Sequence, residues 1–160
     1  MTAASFTQAA GTGTTTFNGL EDYSGAFAFT GDNLTIDGIG TNAVGTTMTV
    51  TNAGTFTTAD GADLTVGNAF VQNGAGVNLL GGNITSTNDG ISFAKQVTLQ
   101  GADAVVLTSG LGAGDNIVLG TNATTDVLGA GQALTLNSGL GNITVNGDVG
   151  GAGAARSTAM

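Results

Sequence analysis

An apolar-x-apolar triplet returns along this 160-residue chain at so even a spacing that it restricts the fold more than any other feature. It occurs as Phe27-Ala28-Phe29, Leu34-Thr35-Ile36, Met48-Thr49-Val50, Leu64-Thr65-Val66, Val77-Asn78-Leu79, Ile91-Ser92-Phe93, Val97-Thr98-Leu99, Val105-Val106-Leu107 and Ile117-Val118-Leu119, and again as Leu134-Thr135-Leu136 and Ile143-Thr144-Val145. Weaker members begin at Phe56, Phe70, Ile84 and Val127. Alternation of period two is the pattern of a strand with one buried face. Between the triplets stand Asp60-Gly61, Asn73-Gly74, Gly81-Gly82 and Asp89-Gly90, pairs that accept the backbone angles of tight turns. Every strand is short, and every break is a turn.

Triplet starts at 27, 34, 48, 56, 64, 70, 77, 84, 91, 97 and 105 are separated by about seven residues or twice that, so three steps make a period of about 21. Positions 27, 48, 70 and 91 form one series, 34, 56, 77 and 97 a second, and 64, 84 and 105 a third. The arrangement predicts an all-β, three-faced parallel β-solenoid in which each coil lays one strand on each of three sheets and buries its alternate apolar residues centrally. The general crossover preference predicts right-handed winding. Coils about 4.8 Å apart give roughly seven turns and a rod about 35 Å long. A sandwich or barrel shares the short strands but needs connections of mixed length. Helices lack support, because Asn, Thr and Gly occupy the positions where a surface helix carries Glu, Lys, Arg and Gln. The coils are expected over 27–151, with a corner loop at 108–116, an irregular segment of strands and loop over 1–26, and a tail over 152–160.

The charge balance narrows the partners. Only 8% of residues are charged, and eleven acids face Lys95 and Arg156 alone, for a net charge of −9. Such a chain lacks the basic footprint that holds phosphate backbones, so no nucleic acid is expected. No apolar run reaches the roughly 18 residues of a membrane span, so no membrane insertion is expected either. "MTAASFTQAA" has neither the basic start nor the apolar stretch of a secretory signal. Cysteine, histidine and tryptophan are absent, which removes the usual nucleophile–base pairs and soft metal sites. No catalytic residue and no cofactor are therefore expected. Proline is absent as well, in keeping with long ladders from which a proline would delete a donor.

Four features could still carry chemistry. "GLGAGDNIVLG" at 110–120 partly matches the glycine- and aspartate-rich nonapeptide that binds calcium between β-roll turns, making Asp115 the one metal candidate. Ala113 stands where that pattern requires Gly, and no tandem copy follows. Thr-x-Thr pairs at Thr14/Thr16, Thr47/Thr49 and Thr55/Thr57 suggest a flat ice-binding face, but are expected at different phases of the period. Acids such as Asp37, Asp60, Asp63, Asp89 and Asp148 fall beside Gly or Asn in turns and are read as solvated rather than as a glycosidase pair. Asn residues in successive turns are expected to form amide ladders along the coil.

"QALTLNSGLGNITVNGDVGG" (132–151) and "ISFAKQVTLQGADAVVLTSGLGAGDNIVLG" (91–120) resemble the β-strand repeats of very large bacterial surface adhesins, in the style of filamentous-haemagglutinin and autotransporter passenger regions. The resemblance covers most of 27–151 and implies an extracellular or cell-surface parallel β-helix serving as stalk or adhesive fibre. It transfers no catalytic residue. Neither end of the sequence has the helical periodicity or charge cluster that blunts an open sheet edge. The expected partner is therefore a second copy, stacked head to tail into a filament, with cell-surface glycans as a further partner class. The rival expectation is a ligand-binding β-helix module for glycan, calcium or ice.

Overall fold

The computed structural model describes residues 1–122, 125–129 and 131–150. The tail expected over 152–160, and Gly151 at the end of the expected coils, lie outside the described residues. What is described is all β, with about 6 turns of about 22 residues. The first coil consists of β1 (Thr2–Ala3), β2 (Phe6–Gln8) and β3 (Thr14–Phe17), and the second of β4 (Asp22–Tyr23), β5 (Phe27–Gly31) and β6 (Asn33–Ile36). The third contains β7 (Gly40–Val44), β8 (Met48–Asn52) and β9 (Phe56–Thr58), and the fourth β10 (Ala62–Val66), β11 (Phe70–Gln72) and β12 (Asn78–Leu80). The fifth contains β13 (Ile84–Ser86), β14 (Ile91–Phe93) and β15 (Val97–Leu99), and the sixth β16 (Val105–Thr108), β17 (Ile117–Leu119) and β18 (Val127–Leu128). A seventh follows with β19 (Leu134–Asn137) and β20 (Ile143–Val145).

Every third strand pairs in parallel, which produces three sheets. Face 1 runs β1-β4-β7-β10-β13-β16-β19, face 2 runs β2-β5-β8-β11-β14-β17-β20, and face 3 runs from β3 to β18 in steps of three. Coiling starts before Phe27, since Phe6 registers with Phe27 and Thr14–Phe17 with Asn33–Ile36. At that end Phe6 stacks on Phe27 at 4.6 Å and meets Phe17 edge-on at 5.1 Å. Both geometries suit the ring quadrupole.

The inward columns follow from alternation. In most three-residue strands the two outer positions are buried and the middle one faces out. Phe27, Met48, Phe70 and Ile91 form one continuous column, as the first series requires. The second series needs a correction: Leu34 and Phe56 are followed by Asn78, not Val77. Alternation points Val77 and Leu79 inward, whereas Asn78 and Leu80 are buried and Val77 is exposed. The third series shifts by two residues, because Ile84 registers with Leu107 rather than Val105. The longer connection at 100–104 absorbs that shift.

The corners stack so closely that some positions exclude any side chain. A Cβ on Gly76 would lie 1.5 Å from Gly54 O, one coil below. Gly101 has φ of 85°, an angle that L residues rarely adopt.

The Thr-x-Thr pairs also differ from expectation. Thr14/Thr16 and Thr55/Thr57 share face 3, with Asn33/Thr35 registered between them. Their outward column then stops at Leu79. Thr47/Thr49 belongs to face 2.

Candidate functional site

Several polar side chains near the corners bind the backbone of an adjacent coil. Asn33 Oδ1 accepts from Thr55 N at 2.8 Å, Asp63 Oδ1 from Asn83 N at 2.8 Å, and Asn83 Oδ1 from Val106 N at 2.7 Å. Asn116 Oδ1 accepts from Asn142 N at 2.7 Å, and Asp126 Oδ1 from Asp148 N at 3.1 Å. Corner N–H groups lie outside the strand ladders and require such partners when covered. These carboxylates and amides therefore splice coil to coil, rather than standing as solvated turn residues or a continuous amide ladder.

One splice spans two coils. Asp60 Oδ2 accepts from Ala102 N at 3.0 Å, and Gln100 Nε2 donates to Thr58 O at 3.0 Å. Coil 4 makes room with Gly81-Gly82, where a Cβ on Gly81 would lie 2.7 Å from Asp60 N. Thr58 Oγ1 also accepts from Gly81 N and Gly82 N, each at 3.2 Å.

Two buried polar clusters interrupt the apolar interior. In the first, Tyr23 OH donates to Glu21 Oε2 at 2.7 Å, Glu21 N donates to Asn42 Oδ1 at 3.0 Å, and the Met1 amine lies 3.4 Å from Glu21 Oε1. Burial raises the Tyr23 phenol well above its ordinary value, and its hydrogen bond to Glu21 and the charge there act in the same direction. An ionised phenol would stand beside a carboxylate without solvent to screen it.

The second cluster joins Asn52, Gln72 and Asn78, each about 1% exposed or less. Gln72 Nε2 donates to Asn52 Oδ1 at 2.7 Å and to Gly74 O at 3.2 Å. Gln72 Oε1 accepts from Ala94 N at 3.1 Å and from Asn78 Nδ2 at 3.4 Å. Asn78 Nδ2 also donates to Gln96 O at 3.1 Å. Among the described residues, Asn78 Oδ1 is the buried side-chain atom without a hydrogen-bond partner. Sequence reading passes over this cluster because its members stand in three different strands of two coils.

Asp115 lies in the connection between β16 and β17. Its Oδ2 accepts from Gly112 N at 2.7 Å, and its carbonyl accepts from Ser109 Oγ at 2.5 Å. The loop thus closes on its own aspartate. Among the described residues, no three His, Cys, Asp or Glu side chains converge as metal ligands.

A concavity of about 470 Å³ runs along the corner between faces 2 and 3 from coil 1 to coil 4. Its floor includes Thr30, Thr51 and Ala53, under the longer connections at 9–13 and 73–77. The lining contains neither a charged side chain nor an aromatic ring. It offers van der Waals contact and hydroxyls, without groups for acid–base or nucleophilic work.

Set against protein-family models, curated proteins and solved structures, the chain has no match. The solenoid stands on its strand pairing alone.

Proposed function

We propose that the chain is a non-enzymatic extracellular structural protein, a β-solenoid subunit or segment of a bacterial surface fibre or adhesin shaft that continues coil on coil into a filament. The observation that carries this reading is the state of the two outermost described coils. β1, β2 and β3 each have one strand neighbour, and Phe6 and Phe17 in that coil are only partly buried. At the opposite end Leu134, Leu136 and Val145 are partly buried, while Ile143 is 46% exposed. These residues occupy the columns that are fully buried in between, so another coil on either end would complete existing packing. Backbone edges with apolar columns beneath them favour such continuation, and the acidic surface would keep neighbouring filaments apart.

Light scattering and electron microscopy of the 160-residue chain test the reading. Rods lengthening with concentration are expected. A stable monodisperse monomer at high concentration would remove self-stacking and leave a segment continued by its own flanking sequence. The rival, a binding module, is supported by the uncharged corner groove, and saturable binding of a defined glycan there would favour it.

A further inference from the structure

We infer that the buried Asn52–Gln72–Asn78 amide cluster is a register pin: it fixes how the strands of coil 4 align with coils 3 and 5, at the expense of stability.

Corner length does not fix that alignment. Between faces 2 and 3 the connections comprise residue 32 in coil 2, 53–55 in coil 3, 73–77 in coil 4 and 94–96 in coil 5, yet all these strands remain paired. Apolar alternation does not fix it either. A slip of one residue turns the buried side chains outward, but a slip of two preserves which positions face in. In strands as short as Phe70–Gln72 and Asn78–Leu80, a glycine-rich corner can supply those two residues.

The cluster removes this freedom. Gln72 stands in an inward column between Val50 and Phe93, and Asn78 in one between Phe56 and Val97. Through one amide, Gln72 binds Asn52 in coil 3, Asn78 and Gly74 in coil 4, and Ala94 N in coil 5. A slip of two residues toward Met48 and Ile91 would carry that amide between those apolar side chains with none of these partners, whereas a slip the other way would set it opposite Asn52. Buried unpaired polar groups are strongly disfavoured. The observed register is not itself free of such a group, since Asn78 Oδ1 has no partner. An arrangement built for stability alone would place apolar residues here. A buried polar group that selects one alignment over its alternatives has precedent in coiled coils.

The test replaces all three amides, Gln72→Val and Asn78→Val with a residue type found next to each in its column and Asn52→Ala so that no buried amide is left without its Gln72 partner, and reads the register by disulfide trapping. Outward Thr49 and Val71 are partners in the observed register, so T49C/V71C reports it. T47C/V71C and T51C/V71C report slips of two residues, because in the observed register those pairs lie about 8 Å apart, beyond disulfide reach. In the parent, T49C/V71C alone should close. In the valine variant the melting temperature should not fall, and T47C/V71C, which reports the slip toward Met48, should close in at least tenfold higher yield than in the parent. A folded variant whose slipped pairs stay at parental yield would overturn the inference. So would a variant that fails to fold while Asn78→Val alone, which retains the Gln72–Asn52 bond, also melts lower, because the cluster would then be a stabilising element.

Discussion

Coils 1–5 and coils 6–7 are built from the same strands but different corners. On face 2 the register moves from Phe6 to Phe27, Met48, Phe70 and Ile91 in steps of 21 or 22 residues, then by 26 to Ile117 and 26 again to Ile143. The added residues enter connections such as 109–116 and 138–142, while β14, β17 and β20 stay at 3 residues each. One extension is itself repeated. Ser109-Gly110-Leu111-Gly112 and Ser138-Gly139-Leu140-Gly141 occupy the same corner of successive coils, with both serines buried and both leucines 79% exposed. Strand pairing sets the cross-section, and corner length is free to vary because lengthening a loop adds little closure entropy.

Core truncation should separate the two regions most sharply. Phe70 is fully buried between Phe56 and Phe93, and Phe70→Ala should lose about 3–5 kcal/mol by chemical denaturation. Val145→Ala, on a partly buried residue of coil 7, should lose roughly 1 kcal/mol. Equal losses would mean that coil 7 is as well packed as the middle, and would erase the distinction.

Corner substitutions probe it next. Gly76→Ala forces a Cβ into Gly54 O and should destabilise by about 1–3 kcal/mol. Gly114, in the extended corner of coil 6, has nothing within 4 Å of a built Cβ, and Gly114→Ala should change stability by less than about 0.5 kcal/mol.

Alkaline titration sharpens the contrast from the other end. The only tyrosine, Tyr23, lies in coil 2, and its folded pKa is raised. The folded state then holds its proton more tightly than the unfolded state does. The resulting stability is complete below the ordinary phenol value near 10 and falls as pH rises above it, by at most about 1.4 kcal/mol per pH unit. Urea midpoints at pH 8 and pH 11 should show the loss, and Tyr23→Phe should remove it. A phenolate absorbance titrating near pH 10 in the folded protein would contradict the burial.

Asp115 gives the smallest effect. Asp115→Ala should cost about 1 kcal/mol or less through the lost Gly112 N–H bond, and calcium should leave the melting temperature of either protein unchanged. A calcium-dependent rise that vanishes in Asp115→Ala would instead make the extended corner a binding site.

The sequence makes the coil visible where bulky apolar residues occupy both inward positions, as at Phe27/Phe29 and Ile91/Phe93, because burial then has one solution. It misleads at Val77-Asn78-Leu79, where the apolar pair faces out and the amide faces in. Alternation reports parity but not side, and the partners that make Asn78 tolerable lie on Gln72 and Gln96, outside its own strand. The shift from Val105 to Leu107 is hidden for a related reason: a four-residue strand offers two alignments of one parity. The splicing roles of Asp63, Asn83 and Asn116 depend on which N–H lies one coil above, and that is settled only once the register is known.

The double-length splice from coil 3 to coil 5 bears on how such a rod yields to force. A solenoid joined only between neighbours peels under tension one turn at a time, each release independent of the last. Asp60 and Gln100 clasp the backbone across coil 4, so that turn cannot peel away without first parting its neighbours from each other. Three coils thus form a stiff splint within the solenoid, where pulling would meet one large rupture instead of three small ones.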